Sequence, residues 1–191
     1  MKLFTALYDK TLSYSAHPKA AWYLGGLSFA ESSFFPIPPD VMLAPMCLAK
    51  RNRAWFYAFI TTVLSVIGGL FGYLIGWLAF DLVEPILHDF GYTDKFQLAI
   101  SWFNEWGVWV VFLAGFTPIP YKVFTIAAGV TGMALLPFVI ASLVGRGARF
   151  FIVAALMFIG GEKMQTTLRK YIEILGWFVI VLAITLYIIL K

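Results

Sequence analysis

The sequence predicts an all-α integral membrane protein. The predicted fold is an inverted repeat of two re-entrant helical hairpins that are each followed by a transmembrane helix, with one further transmembrane helix at the C-terminus. Of the 191 residues, 61% are hydrophobic and 13% are charged, and the mean hydropathy of +0.86 is too high for a soluble domain. Five apolar runs have about the length that a helical membrane crossing needs. Two of these runs are interrupted near their middles by similar proline-containing stretches.

The apolar runs and the charges between them divide the chain into segments. A cytoplasmic or interfacial segment is expected at 1–19, a membrane domain at 20–162 and a C-terminal transmembrane helix at 172–190. Within the membrane domain, the predicted order is a hairpin at 20–49, a crossing at 54–80, an outer loop at 81–106, a second hairpin at 107–135 and a second crossing at 137–160. The alternating apolar and acidic residues of the outer loop indicate an interfacial amphipathic helix.

The basic residues indicate the orientation in the membrane. Both flanks of the first interrupted run are basic, with Lys2, Lys10 and Lys19 before it and Lys50, Arg51 and Arg53 after it. Cytoplasmic loops are rich in lysine and arginine, so both flanks belong in the cytoplasm and the run between them enters and leaves on one side. A kinked crossing would instead put one basic cluster on the wrong face. The predicted outer loop is acidic, and Lys163, Arg169 and Lys170 return the chain to the cytoplasm. The N-terminus is therefore expected inside and the C-terminus outside.

The two proline breaks belong to an internal repeat. PIPPD at 36–40 aligns with PIPYK at 118–122 at an offset of 82 residues (118 minus 36), and this offset carries the first crossing onto the second. Each half is then a hairpin followed by a crossing, and the halves enter from opposite faces, as is typical of transporters. Irregular backbone at membrane depth is tolerated where it is buried in protein or lines a watery cavity. The residues expected to break the hairpins are Pro36, Pro38, Pro39, Pro118 and Pro120.

Charged side chains occur inside the predicted hairpins. Glu31 lies in the first arm of the first hairpin, where it needs a cation, a proton or water. Asp40 begins the second half of that hairpin, and it either caps a helix or takes part in function. Lys122 occupies the matching position of the second hairpin, at a helix start that is already positive and that favours an anion nearby.

Two arginines lie near the centre of the second crossing. Arg146 and Arg149 share a helix face at i, i+3 spacing, and each costs roughly 2.5–3.5 kcal/mol at mid-bilayer, so both must face the protein interior. One interpretation is a set of internal ion pairs, Glu31 or Asp40 with one of the arginines. Another is an anion site, formed by two carboxylates and three cations, with proton-titratable neighbours. The two interpretations are compatible, because an ion pair that breaks when the substrate binds is a structural contact before binding and part of the anion site afterwards.

Other motifs point to packing and not to chemistry. The first crossing carries glycines at a spacing of four, which predicts close helix packing at Gly68, Gly72 and Gly76. The single cysteine, Cys47, and the two histidines, His17 and His88, lie away from the charged set. The sequence therefore predicts no metal site, no cofactor and no catalytic nucleophile, so an enzyme is disfavoured. The basic residues flank apolar runs, so we interpret the net charge of +4 as a signal for orientation in the membrane. We expect no nucleic-acid partner.

The motifs resemble those of the DedA family, also called the VTT or SNARE-associated-Golgi-like superfamily. E-S-S-F-F-P-I-P-P-D from Glu31 to Asp40 is similar to the family signature, a glutamate, four residues and then Pro-x-Pro-x-Asp/Glu. The run G-x-x-x-G-Y-x-x-G ending at Gly76 and the F-x-P…A-G pattern beginning at Phe116 are also similar, and the likeness covers roughly residues 20–162. The resemblance, to a divergent bacterial member, implies two opposed re-entrant hairpins in the inner membrane.

The resemblance also implies a function. Family members are implicated in moving lipids across bilayers, including undecaprenyl phosphate and phospholipids, often with dependence on the proton-motive force. By resemblance, Glu31 and Asp40 take the family's essential acidic positions. The chain departs from the family at Gly115, where an arginine is usual, with a second arginine near Lys122. We hypothesise that the guanidinium of Arg146 or Arg149 lies close to Gly115 and so supplies the positive charge that an arginine at that position would carry.

We therefore expect a proton-linked flippase or scramblase of the bacterial inner membrane. Its partners would be an anionic lipid or a polyprenyl phosphate, protons and, compatibly with the sequence, further copies of the chain. The residues expected to handle substrate and protons are Glu31, Asp40, Lys122, Arg146 and Arg149. The alternatives are a structural or membrane-homeostasis protein with buried ion pairs, and an ion or small-solute transporter.

Overall fold

The structure, a computed structural model, describes residues 19–33, 38–89, 93–117 and 121–161. These ranges form α-helices joined by short turns, which confirms the all-α prediction for them. The helices are α1 (Ala20–Ser33), α2 (Asp40–Ala49), α3 (Ala54–Asp89), α4 (Thr93–Phe116), α5 (Tyr121–Val130) and α6 (Leu135–Gly161), with a 3₁₀ turn at Arg51–Arg53 before α3. Residues 1–18, the prolines at 36, 118 and 120, and the predicted crossing at 172–190 lie outside the described residues.

Two helical stretches in the described part of the chain are long and apolar enough to cross a membrane. They are Arg51–Phe80 and Leu135–Gly161, and they overlap the crossings expected at 54–80 and 137–160. The helices α2 and α5 are apolar but have 10 residues each, so each rises only about 15 Å, half of the roughly 30 Å hydrocarbon core. Each of these short helices follows one of the proline stretches.

The distribution of side chains is the reverse of that in a soluble protein. Large apolar side chains cover the exterior, among them Trp22, Phe59 and Leu136, each more than half exposed. Polar and charged side chains are buried inside, including Glu31 and Arg146. An apolar surface of this extent is stable in lipid and not in water, and buried charges facing a bundle interior are typical of membrane proteins.

The helix α1 packs parallel to α3 in a constant register. The Ser28 hydroxyl donates to the Thr61 carbonyl oxygen at 2.8 Å, and the hydroxyl oxygens of Ser32 and Ser65 are 2.7 Å apart, each pair 33 residues apart in sequence. After the proline stretch, α2 runs back, so Leu48 near its end packs in the same apolar cluster as the first residues of α1 and α3. The end of α2 therefore lies near the starts of α1 and α3.

The second half of the chain repeats this relation. A Cβ atom placed on Gly115 of α4 would lie 3.3 Å from the backbone nitrogen of Arg146, and the Thr117 carbonyl oxygen accepts a hydrogen bond from Arg149, 32 residues further on. The helix α4 thus runs parallel to α6 in nearly the register of α1 on α3. The short helices pack across the halves, with Leu43 of α2 in a cluster with Phe150 of α6 and with α5 against α3.

The region expected to be an outer loop with an interfacial amphipathic helix is helical in its described parts. The helix α3 continues past residue 80 to Asp89, and α4 begins at Thr93. A helix satisfies its backbone hydrogen bonds internally, so it continues beyond the apolar run. The position of this region outside the membrane stays a prediction.

The glycines of α3 lie where other helices approach closely. A methyl group on Gly68 would overlap the backbone of Phe29 in α1, and one on Gly76 would overlap the carbonyl group of Ile126 in α5. At Gly72 the methyl group would overlap the Thr125 hydroxyl. The absence of a side chain at these positions lets α1 and α5 pack on the same long helix.

We expect Gly76→Ala to destabilise the protein, because the added methyl group meets backbone that cannot rotate away. Overpacking of this kind costs about 1–3 kcal/mol. Gly26→Ala is the matched control, since a Cβ there meets nothing within 4 Å and alanine has the higher helix propensity. Thermal unfolding in detergent, followed by tryptophan fluorescence, should show a lower midpoint for G76A alone. Equal midpoints for the two variants would contradict the packing described here.

Candidate functional site

A buried ion pair lies at the centre of the bundle. Arg146 of α6 is 1% exposed, and its NH2 group donates to the carboxylate of Glu31 at the end of α1. Its Nε group donates to the hydroxyl oxygen of Ser65 in α3 at 2.6 Å. One guanidinium therefore ties α6 to both α1 and α3.

Two aromatic rings cover the guanidinium of Arg146. Its central carbon lies 4.9 Å from the centre of the Tyr121 ring and 4.6 Å from that of Phe150. The Tyr121 hydroxyl donates to the Ser142 hydroxyl of α6, which fixes the orientation of the ring. Cation–π contacts of this kind gain strength when they are desolvated. The two rings therefore fill the space around the Arg146 guanidinium that its hydrogen-bond partners do not fill.

Hydroxyl groups close a ring of hydrogen bonds around the pair. The Ser32 hydroxyl donates to the Glu31 carboxylate at 3.2 Å and lies 2.7 Å from the Ser65 hydroxyl. Each hydroxyl carries one proton, so a single assignment satisfies every contact: Arg146 donates to Ser65, Ser65 to Ser32, and Ser32 to Glu31. Because the circuit is complete, neither charge of the pair is left without compensation in the low-dielectric interior.

A second ion pair lies one helical turn further along α6. The Arg149 NH2 group donates to the Asp40 carboxylate at 2.5 Å, and its NH1 group donates to the carbonyl oxygen of Thr117. Asp40 begins α2 and Thr117 follows α4, so Arg149 connects the two segments that hold the proline stretches.

The second ion pair is more exposed to the surroundings than the first, and its hydrogen bonds are less complete. The side chains of Arg149 and Asp40 are 16% and 24% exposed, against 1% and 10% for Arg146 and Glu31. The Oδ1 atom of Asp40 is buried and has no hydrogen-bond partner among the described residues. The pair around Arg149 is therefore the one that a ligand or a proton can reach with the smaller rearrangement.

The structure thus brings four of the five predicted charged residues together as two defined pairs. The fifth, Lys122, is half-buried in the first turn of α5, directly after the Tyr121 that covers Arg146. No group of three or more metal-ligating side chains occurs in the described ranges.

Sequence reasoning missed the residues that support the pairs. Ser32 and Ser65 complete the hydrogen-bond circuit, and Tyr121 covers the guanidinium. The signal available in the sequence was a polar residue next to Glu31 and another inside an apolar crossing. Gly115 also lies against the backbone and side-chain stem of Arg146, and whether Arg146 or Arg149 replaces the arginine of the family pattern stays a hypothesis.

An apolar exterior around a closed ion-pair network defines a class of protein, the helical membrane proteins with a charged interior site. The VTT domain model matches residues 37–158, which include both short helices and both arginines. The chain therefore belongs to the VTT domain family, the DedA family that its motifs resemble.

Several proteins are similar to this chain. An uncharacterized protein of Haemophilus influenzae is 55% identical over 191 residues, and a homologous uncharacterized protein of Histophilus somni is 48% identical, both over the full length of each chain. Undecaprenyl phosphate transporter A of Staphylococcus aureus is 32% identical over 121 residues, covering 57% of this chain and 58% of the transporter. No solved structure matches.

We expect Glu31→Gln to be strongly destabilising, because it leaves the buried Arg146 without its counter-charge. Removing one partner of a buried pair costs about 3–5 kcal/mol, which would lower the unfolding midpoint by roughly 10 °C. The double variant E31Q/R146Q should recover much of this loss, since no unpaired charge remains. Arg149→Gln is the comparison at the more exposed pair, with an expected loss of about 1 kcal/mol. Additive effects of E31Q and R146Q would contradict a coupled pair.

Proposed function

We propose that the protein is a proton-linked flippase or scramblase that moves an anionic lipid or a polyprenyl phosphate across the bacterial inner membrane. The observation that carries the proposal is the partly exposed Arg149–Asp40 pair, which lies within an apolar exterior and also contacts Thr117 at the end of α4. A phosphate headgroup needs cationic donors along its path, while its hydrocarbon tail remains in the surrounding lipid.

The comparison with the staphylococcal protein supports this substrate class. That relative is named for undecaprenyl phosphate, a lipid with a phosphate headgroup, and it is 32% identical over 121 residues. A phosphate accepts two parallel N–H donors from one guanidinium, which suits Arg149 because its two terminal nitrogens contact oxygen atoms in a partly exposed position where a headgroup can replace them. Lys122 supplies a further positive charge on the neighbouring helix start.

The proposed step exchanges a carboxylate for a phosphate. A proton binds the Asp40 carboxylate and removes the charge that holds Arg149, and the guanidinium then turns its donors to the headgroup. When the proton leaves on the other side, Asp40 recaptures Arg149 and the headgroup is released. Arg146 takes no direct part, because Glu31, Ser65 and two rings already occupy its surroundings.

Re-entrant hairpins related by an inverted repeat are part of the proposal. Their support is the matching register of the two halves, 33 residues for α1 on α3 and 32 for the contact between Thr117 and Arg149. The exchange of short helices between the halves adds to it, since α2 packs on α6 and α5 on α3. The proposed orientation has the N-terminus in the cytoplasm and the C-terminus outside, in accordance with the basic flanks.

A structural role is the second candidate, and a specific observation favours it. Arg146 already has hydrogen-bond partners and connects three helices, as expected of a structural contact and not of a ligand site. In that case the pairs would hold the hairpins without any lipid movement. An ion or small-solute transporter would use the same charges without needing the apolar exterior for a substrate tail.

We expect purified protein in proteoliposomes to flip a fluorescent phosphatidylglycerol or a fluorescent polyprenyl phosphate, measured by quenching of the outer leaflet. Arg149→Gln should lower the rate by at least tenfold, since the headgroup loses its bidentate donor. Arg51→Gln is the matched control, because it removes the same charge from an exposed position outside the site. Wild-type protein that folds and moves neither lipid would exclude the flippase and favour the structural role. Unchanged flipping by a folded R149Q variant would exclude the assigned site.

We also expect Asp40→Asn to uncouple the protein from protons. An imposed pH gradient should accelerate flipping by the wild type, whereas D40N, which cannot take up or release the proton, should show the same rate with and without the gradient. Glu31→Asp serves as the control that retains an acid in the sealed pair. A gradient response that survives in D40N would place the proton step elsewhere.

A further inference from the structure

An apolar groove lies on the outer surface of the bundle between α1 and α3. It has a volume of about 240 Å³, and the residues that line it include Trp22, Phe56, Phe59, Ile60 and Val63. The residues that follow on the same side of α3 at helical spacing are also apolar and exposed, namely Ile67, Phe71 and Leu74. The exposed apolar surface therefore continues along α3 beyond the groove itself.

The helix α6 ends at the same end of the bundle as the one where this groove begins. A Cβ atom on Gly161 would overlap the guanidinium of Arg51, so the end of α6 lies beside the 3₁₀ turn that precedes α3. Phe56, in the first turn of α3, lines the groove directly after that turn. Two larger cavities, lined by Trp77 and by Trp106, lie toward the other end, where α6 begins.

The predicted C-terminal crossing at 172–190, which lies outside the described residues, is close enough in sequence to reach the groove. The stretch at 162–171 separates it from Gly161, and about 10 residues span up to roughly 33 Å. As a helix, about 19 residues rise about 28 Å. The exposed side of α3 from Phe56 to Leu74 rises about 27 Å, so the two lengths match.

Glu173 indicates at which level the crossing would begin. It is the second residue of a run that is otherwise uncharged, and a carboxylate at hydrocarbon depth is costly, so it belongs near the headgroups. The exposed Arg53 of the 3₁₀ turn marks this level on the bundle and has the complementary charge. With Glu173 level with Arg53, an offset of 120 residues (173 minus 53) puts Gly176 opposite Phe56 and residue 183 opposite residue 63.

We propose that the crossing at 172–190 docks in this groove as a helix parallel to α3, with Gly176 and Ala183 toward the groove. These two residues are seven apart and share a helix face, and small residues let helices approach closely. The large rings of Trp22 and Phe56 then fill the space over Gly176. The reach of the chain, the match in length and the carboxylate at the level of the 3₁₀ turn select this occupant. The docking does not rest on lipid transport.

Disulfide cross-linking of the full-length chain in membranes tests the docking. Cys47 is first replaced by alanine, and Val63→Cys is then combined with Ala183→Cys. Cysteines form a disulfide only when their Cα atoms lie within about 7 Å. After oxidation, the thiols that remain are counted by labelling with a maleimide polymer. We expect about fivefold more cross-linking in this pair than in V63C/V181C, because position 181 faces the other side of the helix. The pair I152C/A183C, with Ile152 exposed on α6, is the second control.

A cysteine scan removes the dependence on one exact register. Val63→Cys is combined with a single cysteine at each position from 179 to 186, and cross-linking should peak every 3 or 4 residues. Absence of such a period, in variants that keep the unfolding midpoint of the wild type, would overturn the proposal, because lipid or another segment then covers the groove. Cross-linking between two chains would overturn it as well, since a second copy would then occupy the groove.

Discussion

The desolvation of Arg146 is the constraint on which the rest of the structure depends. A guanidinium that is 1% exposed inside an apolar bundle is stable only when its charge and its donors are matched. Glu31 supplies the charge, Ser65 accepts the second donor, and the rings of Tyr121 and Phe150 fill the remaining space. These partners come from four helices, so satisfying one side chain fixes how α1, α3, α5 and α6 meet. The closely packed glycines of α3 are what allow the helices to come near enough.

One helical turn separates this sealed pair from an accessible one. Arg146 and Arg149 lie on the same face of α6, yet the first is enclosed by rings and hydroxyls while the second contacts a partly exposed carboxylate and a backbone carbonyl. In the proposed function, the Arg146 pair keeps the helix geometry while the Arg149 contact is exchanged for a headgroup. The structural and the transport interpretations therefore both use this pair of arginines. The structural role rests on Arg146, and the proposed transport role rests on Arg149.

The sequence predicts the helical class, the two long apolar helices, and the interior location of both arginines, since spacing and desolvation cost are local properties. It does not predict which acid pairs with which arginine. Asp40 and Lys122 occupy equivalent positions in the proposed repeat, but α2 packs on α6 whereas α5 packs on α3, and this difference decides that Asp40 reaches Arg149. Ser32 and Ser65 were missed for the same reason. A serine in an apolar run satisfies itself within its own helix or bridges to another, and only the 33-residue register of α1 on α3 selects the bridge.

The Arg149 contacts also limit how the proposed movement begins. The guanidinium joins the first residue of α2 to the residue after α4, so one point on α6 contacts both segments. In the proposed mechanism, loss of the Asp40 charge would weaken the contact between Arg149 and α2, whereas the Arg146 network would continue to hold α1 and α3 in place. In the proposed step, a proton on Asp40 leaves Arg149 without its counter-charge, and the cost of that unpaired charge would make an incoming phosphate its favoured partner.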